Sequence, residues 1–170
     1  MLYRSHLNTG LAAGVVLAGA AQLAQPGQPV EDLLMLAGLT AAFALVPDLD
    51  VASVPQRWFY RGVALALAVL LALDRGHAAG LLGFFALLPL VHHHRGWMHR
   101  WWAAAVVPAG VLLLGAALLN RLHWPMEPNE IPTLLRSQLS THLPFYCAMA
   151  LGYATHLVVD RVGLRALRPR

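Results

Sequence analysis

The chain has 170 residues, 58% hydrophobic and 12% charged, with a mean hydropathy of +0.58, a balance that excludes an ordinary soluble domain of this size and points to the membrane. All twelve basic residues are arginines, and the formal charge of +4 lacks the basic stripe with interleaved aromatics of a nucleic-acid surface. A single cysteine, Cys147, excludes an internal disulfide.

Apolar runs occupy residues 7–24, 33–46, 62–73, 78–91, 101–119 and 145–159. They are continuous rather than alternating, which predicts helices and not the strands of a barrel. The expected fold is all-α: a polytopic transmembrane bundle of about five to six helices, forming one domain over residues 1–170. Only the first and fifth runs approach the roughly 20 residues that cross a ~30 Å hydrocarbon core, so the others extend through flanking residues, tilt or stop short. The 62–73 run is the weakest span. Arg4 followed by apolar residues resembles a signal peptide, but Ala20-Ala21-Gln22 is a poor cleavage neighbourhood and His6 belongs to a pattern described below, so the segment is read as retained.

Turns are expected at 25–28 around Pro26 and Gly27, at 47–55, at 74–76, and at 92–100 around Gly96. The longest connector, 120–144, carries Pro125, Pro128, Pro132 and Pro144 with Glu127 and Glu130, and is expected to be a structured or interfacial loop. Cys147, inside the last apolar run, is expected to be buried and inert.

Placing the N-terminus in the cytosol and alternating through six spans puts Arg4, Arg57, Arg61, Arg95, Arg100, Arg161, Arg165, Arg168 and Arg170 inside. Arg75, Arg121 and Arg136 fall outside with Glu31, Asp32, Asp74, Glu127 and Glu130. The bias predicts that both termini are cytosolic. The arginines of the last ten residues suit anionic headgroups.

The same alternation collects His6, Asp48, Asp50, His94, His99, His156 and Asp160 at the cytosolic helix ends. Each ionisable group costs ~2.5–3.5 kcal/mol at the centre of a spanning helix, so such a set calls for a compensating partner, and a divalent cation is one. His156 and Asp160 lie one turn apart on a helix, as two ligands of one centre would; a polar contact between helices is the competing reading. Asp48 and Asp50 flank Leu49 after Pro47, where a short extended turn would aim both carboxylates one way, and where the negative end of a helix dipole would oppose them unless a cation neutralises them. His94 and His99 would diverge on a continuous helix, but Gly96 offers a break that turns both to one centre. His92 and His93 are read as an interfacial belt. Arg95 offers a planar donor fork for an anionic substrate oxygen, with a topological anchor as the equal alternative. His6 shares its face with Gly10, Ala13 and Gly14, a small-residue ridge that admits a neighbouring helix closely. His77, His123 and His142 fall on the opposite side and receive no role.

Four blocks, Ser5-His6-Leu7, Leu45-Val46-Pro47-Asp48-Leu49-Asp50, His94-Arg95-Gly96-Trp97-Met98-His99 and Gly152-Tyr153-Ala154-Thr155-His156-Leu157-Val158-Val159-Asp160, resemble as an ordered set the YdjM-like family of bacterial inner-membrane metal-dependent hydrolases. The chain departs from that pattern at Met98 and Arg100, where relatives place Thr and Ser, and at Val51, where a His is frequent. The resemblance implies a protein of the bacterial cytoplasmic membrane, in which the alternation of spans puts the site on the cytosolic side.

The leading expectation is a hydrolase holding one or two divalent ions, Zn²⁺ or Mn²⁺ by the mixture of imidazole and carboxylate, and cleaving a phosphoester or other ester of a lipid or amphiphile. Seven ligands exceed one tetrahedral site. Membrane lipids and a lipid-like anionic substrate are the expected partners, with no nucleic acid. A membrane di-iron oxidase or hydroxylase, a non-catalytic metal-binding protein, and a structural protein with interfacial histidines are the alternatives.

Overall fold

A computed structural model describes residues 3–91, 96–118 and 129–166. Among the described residues there is no strand, and the regular structure is helical throughout, as continuous apolar runs require. Helix α1 (Tyr3–Ala24) ends in a turn where Gly27 adopts φ 91°, a left-handed conformation that a side chain would strain. Helix α2 (Val30–Phe43) follows, with Glu31 and Asp32 in its first turn against the positive end of its dipole. A 3₁₀ turn, Val46–Asp50, leads into α3 (Val54–Ala72), and α4 (Gly76–Leu87) runs back toward 3₁₀ turns at Leu88–Val91 and Trp97–His99. Helices α5 (Ala103–Leu118), α6 (Glu130–Thr141) and α7 (Leu143–Ala166) complete the described chain.

Among the described residues two segments, Tyr3–Ala24 and Val30–Asp50, are long and apolar enough to cross a membrane; Gly76–Val91 and Ala103–Ala116 are shorter apolar helices. The weak 62–73 run is extended backward to Val54, because Ser53 caps the helix by accepting from the Gln56 N–H and Pro55 sits in the first turn, where no N–H is needed.

The described part of the 120–144 connector, whose composition predicts a structured or interfacial loop, contains α6. Pro132 and Pro144, which read as breakers, occupy the first turns of α6 and α7. The first four N–H groups of a helix have no intrahelical partner, so proline costs little there.

Helices α1, α2 and α7 pack backbone against backbone. A Cβ on Gly14 would lie 2.7 Å from the Ala37 carbonyl oxygen, one on Gly10 would meet the Ala44 side chain, and one on Gly152 would collide with the Thr40 carbonyl oxygen. The ridge expected beside His6 thus has a partner on α2, and α7 supplies a second glycine contact. Buried Thr40 turns its hydroxyl onto its own helix, donating to the Leu36 carbonyl at 2.8 Å. A core of Phe43, Ala103, Ala104, Met149, Tyr153 and Leu157 joins α2, α5 and α7. Cys147, expected to be buried, is exposed: Ala148, Met149, Gly152, Tyr153 and His156 form the inward stripe of α7, which turns residue 147 outward.

At the far end of the bundle, Arg75 donates from Nη1 to the Leu118 carbonyl at 3.0 Å, joining the α3–α4 turn to the last turn of α5. The opposite end holds the ionisable residues.

Candidate metal centre

Each candidate ligand is positioned by local sequence. His6 stands in the second turn of α1, directly before the Gly10–Gly14 ridge, so the close approach of α1 to α2 buries it. The Val46–Asp50 segment is a 3₁₀ turn rather than the extended turn expected. Pro47 begins it, and the chain beyond clamps it: Ser53 Oγ donates to the Asp48 carbonyl at 3.1 Å, and Gln56 Nε2 donates to the Leu49 carbonyl at 3.0 Å. Leu49 is buried. His99 closes the short Trp97–His99 turn, which Tyr153 holds by donating its hydroxyl to the Met98 carbonyl at 2.5 Å. His156 and Asp160 occupy successive turns of α7.

The side chains converge on one another. His6 Nε2 lies 3.4 Å from Asp160 Oδ1, and His99 Nε2 lies 3.6 Å from Asp160 Oδ2. His156 Nε2 is 3.6 Å from Asp48 Oδ1 and 3.7 Å from Asp160 Oδ2, while His99 Nδ1 is 3.7 Å from Asp50 Oδ2. The His6 and His156 rings stack with centroids 3.9 Å apart, and His99 meets His156 edge-on at 5.5 Å. Two overlapping groups, His6–Asp48–His156 and His99–His156–Asp160, bring their ligand atoms within 4.8 Å of one another.

His156 is the residue common to both groups, and its tautomer is fixed. Its Nδ1 lies 2.8 Å from the Ala44 carbonyl, which can only accept, so Nδ1 carries the proton. Ala44 is the C-cap of α2, so the negative end of that helix acts on the imidazole N–H, and Asp48 and Asp50 stand in the 3₁₀ turn that follows. In the neutral ring, Nε2 then presents a lone pair toward two carboxylates, and this nitrogen has no hydrogen-bond partner. His6 Nδ1 and His99 Nδ1 also lack hydrogen bonds.

The separations of 3.4–3.7 Å exceed hydrogen-bond lengths. They approach the ~3.3–3.4 Å ligand edges of a tetrahedral ion with bonds of ~2.0–2.1 Å. The donor set of imidazole and carboxylate therefore fits a divalent ion, with Ala44 as the carbonyl that orients a ligating histidine from behind. The two groups share His156, and its one Nε2 lone pair can bind one ion at a time.

Six of the expected ligands, His6, Asp48, Asp50, His99, His156 and Asp160, are brought together. The seventh, His94, and the expected substrate-binding Arg95 lie outside the described residues, as do His92, His93 and His123. His77 stands at the far end on α4, and His142 caps α6. The sequence reading missed Tyr153 and Ala44. Tyr153 was legible in principle, since it precedes His156 by three residues on the same face; a backbone carbonyl leaves no sequence signal.

A family model described as YdjM inner membrane protein matches residues 1–170. Comparison with curated proteins and with solved structures gives no match. The match runs the full 170 residues and includes every block that carries the ligand set, and the chain belongs to the YdjM inner membrane protein family.

Proposed function

We propose that this protein is a multi-pass inner-membrane hydrolase with both termini in the cytosol, holding a divalent metal at the cytosolic end of its helices and cleaving a phosphoester or other ester of an anionic lipid or amphiphile. The observation that carries the reading is His156: its proton is committed to the Ala44 carbonyl and its buried Nε2 lone pair faces Asp48 and Asp160. A lone pair against two carboxylates is repulsive, and protonating both His156 and His6, whose rings stack at 3.9 Å, would set two cations face to face. A cation shared by these groups would relieve the repulsion.

His6, Asp48, His156, Asp160 and His99 are the residues that would hold the ion, Zn²⁺ or Mn²⁺ by donor type. When bound, such an ion supplies Lewis acidity and a water of lowered pKa. The chain's own groups do the rest. Ala44 sets the His156 tautomer, Tyr153 fixes the turn that presents His99, and the Ser53–Gln56 clamp fixes the carboxylates. Asp48 and Asp160, with side chains 20% and 19% exposed beside a fully buried His156, leave one side of the cluster open for a substrate oxygen. Arg95, two residues before the Trp97–His99 turn in the sequence, is the residue proposed to pair with the substrate anion.

Elemental analysis of detergent-purified protein tests the centre, with about one equivalent of metal expected. Release of phosphate from phosphatidic acid vesicles, lost on chelation and in His156→Ala, tests the activity. Folded protein without metal rejects both; metal without turnover leaves the non-catalytic metal-binding reading, which the deep burial of His6 and His156 favours. A reporter fused to the C-terminus tests the topology, and a periplasmic signal overturns it.

A further inference from the structure

Beside the cluster lies a cavity of about 710 Å³, within the ~300–1,000 Å³ range of small-molecule sites. Its walls come from the Val46–Asp50 turn, α3, α4 and α5, and the side chains that bound it are almost wholly apolar, among them Leu49, Phe59, Phe85, Met98, Val107 and Leu114. Two of these touch the metal centre through the chain itself. Leu49 stands between Asp48 and Asp50, and Met98 precedes His99. The cavity and the ligand cluster are thus two faces of the same pair of 3₁₀ turns: the turns send carboxylate and imidazole one way and Leu49 and Met98 the other.

The cavity is also open at the side. Trp58 and Val111 line it and remain exposed. Along α5 its lining extends from Val106 to Leu114, a rise of ~12 Å at 1.5 Å per residue, close to the ~15 Å hydrocarbon depth of one leaflet. Glycine keeps part of this space clear, since a Cβ on Gly110 would touch Phe85 Cε1 at 3.4 Å and any longer side chain would enter the cavity.

We propose that this cavity takes one hydrocarbon chain of a membrane lipid, entering sideways from the leaflet past Trp58, and so seats the anionic head of that lipid at the metal cluster. The inference rests on the metal-centre reading for the head and on the cavity alone for the chain. A tail leaving the bilayer gains no hydrophobic free energy, because lipid is as apolar as the cavity. The cavity therefore selects by position and shape: it holds a chain whose head emerges at Leu49 and Met98, and rejects amphiphiles whose head lies elsewhere.

The test is photolabelling of the full chain in phosphatidylglycerol vesicles, using phosphatidic acid with a diazirine near the end of one acyl chain, followed by peptide mapping. Labels are expected on Phe85, Val111 and Leu114, and yield at these positions should fall at least fivefold in Gly110→Leu, a change that raises helix propensity. Leu114→Trp, which fills the space from the other end, should do the same and serves if the first variant misfolds. Metal content should be unchanged in both. Labels confined to outward residues such as Val15, Leu34 and Leu65, or cavity labels indifferent to both substitutions, overturn the proposal. Photolabelling needs no turnover, so a protein that labels in the cavity yet hydrolyses nothing would remove only the hydrolase reading.

Discussion

The α1–α2–α7 half of the molecule and the α3–α4–α5 half are both made from apolar helices, and they differ in how closely their backbones approach. Gly10, Gly14 and Gly152 let three backbones touch, and the reward is a set of ionisable side chains held at 3.4–3.7 Å. By contrast α3, 19 residues long, has no buried residue, and it contributes with α4 and α5 much of the lining of the 710 Å³ cavity. Without a hydrophobic drive between helices in lipid, close packing has to be built from small residues and hydrogen bonds. This chain builds it where ligand atoms must be fixed, and leaves the other half open where a flexible chain has to enter.

The sharpest way to break that contrast is at the ligand shared by both groups. His156→Ala should lower metal affinity at least ~100-fold, since even residues that only orient ligands cost 10–100-fold. Metal analysis on protein shown to be folded reads this directly. Retained metal would mean that the tight half is organised around something other than an ion.

Next in size is the packing itself. Gly152→Ala places a methyl group against the Thr40 carbonyl in a contact between two backbones, and should cost ~1–3 kcal/mol with loss of metal in parallel. Gly38→Ala, on α2 with nothing within 4 Å of the added carbon, should be neutral or stabilise by up to ~1 kcal/mol through helix propensity. Thermal unfolding in detergent compares them. Equal effects from the two alanines would deny that the Gly152 contact is a tight one.

How much of this was legible in the sequence follows the same division. The all-helical class and the gathering of His6, Asp48, Asp50, His99, His156 and Asp160 came from apolar runs and their alternation, because ligand position along a helix is a matter of counting. What escaped was set by backbone conformation. The Val46–Asp50 turn is 3₁₀ because Ser53 and Gln56 clamp its carbonyls, and α6 exists because prolines fall in first turns. The cavity had no sequence signal at all, since Leu49 and Met98 read simply as apolar residues between ligands. Cys147 went wrong for a related reason: hydropathy says that a residue avoids water, but not whether it faces protein or lipid.

A smaller effect is expected from Tyr153→Phe. The hydroxyl donates to the Met98 carbonyl from within the core of the tight half, so its loss should cost ~1 kcal/mol and leave that carbonyl unpaired. Metal affinity should weaken by a smaller factor than in His156→Ala, because the ligand His99 is displaced rather than deleted. An unchanged affinity together with lowered stability would limit Tyr153 to the core.

The smallest effect is expected from His77→Ala, which tests whether ionisable residues matter by type or by place. His77 stands in the first turn of α4 and lines a shallow hollow with Asp74, at the end of the bundle that Arg75 closes onto Leu118. It carries the same imidazole as His156 and also has a nearby carboxylate residue. It lacks a helix packed against it backbone to backbone, since a Cβ on the neighbouring Gly76 or Gly80 would meet nothing within 4 Å. Without such packing two side chains pay rotational entropy to hold an ion, and a site in water gives the ion little advantage over its hydration shell. His77→Ala should therefore leave metal content unchanged and stability within ~0.5 kcal/mol. If it instead removed metal, a histidine and a carboxylate on an open turn would suffice for binding, and the glycine contacts that distinguish the two halves would lose their connection to the ion.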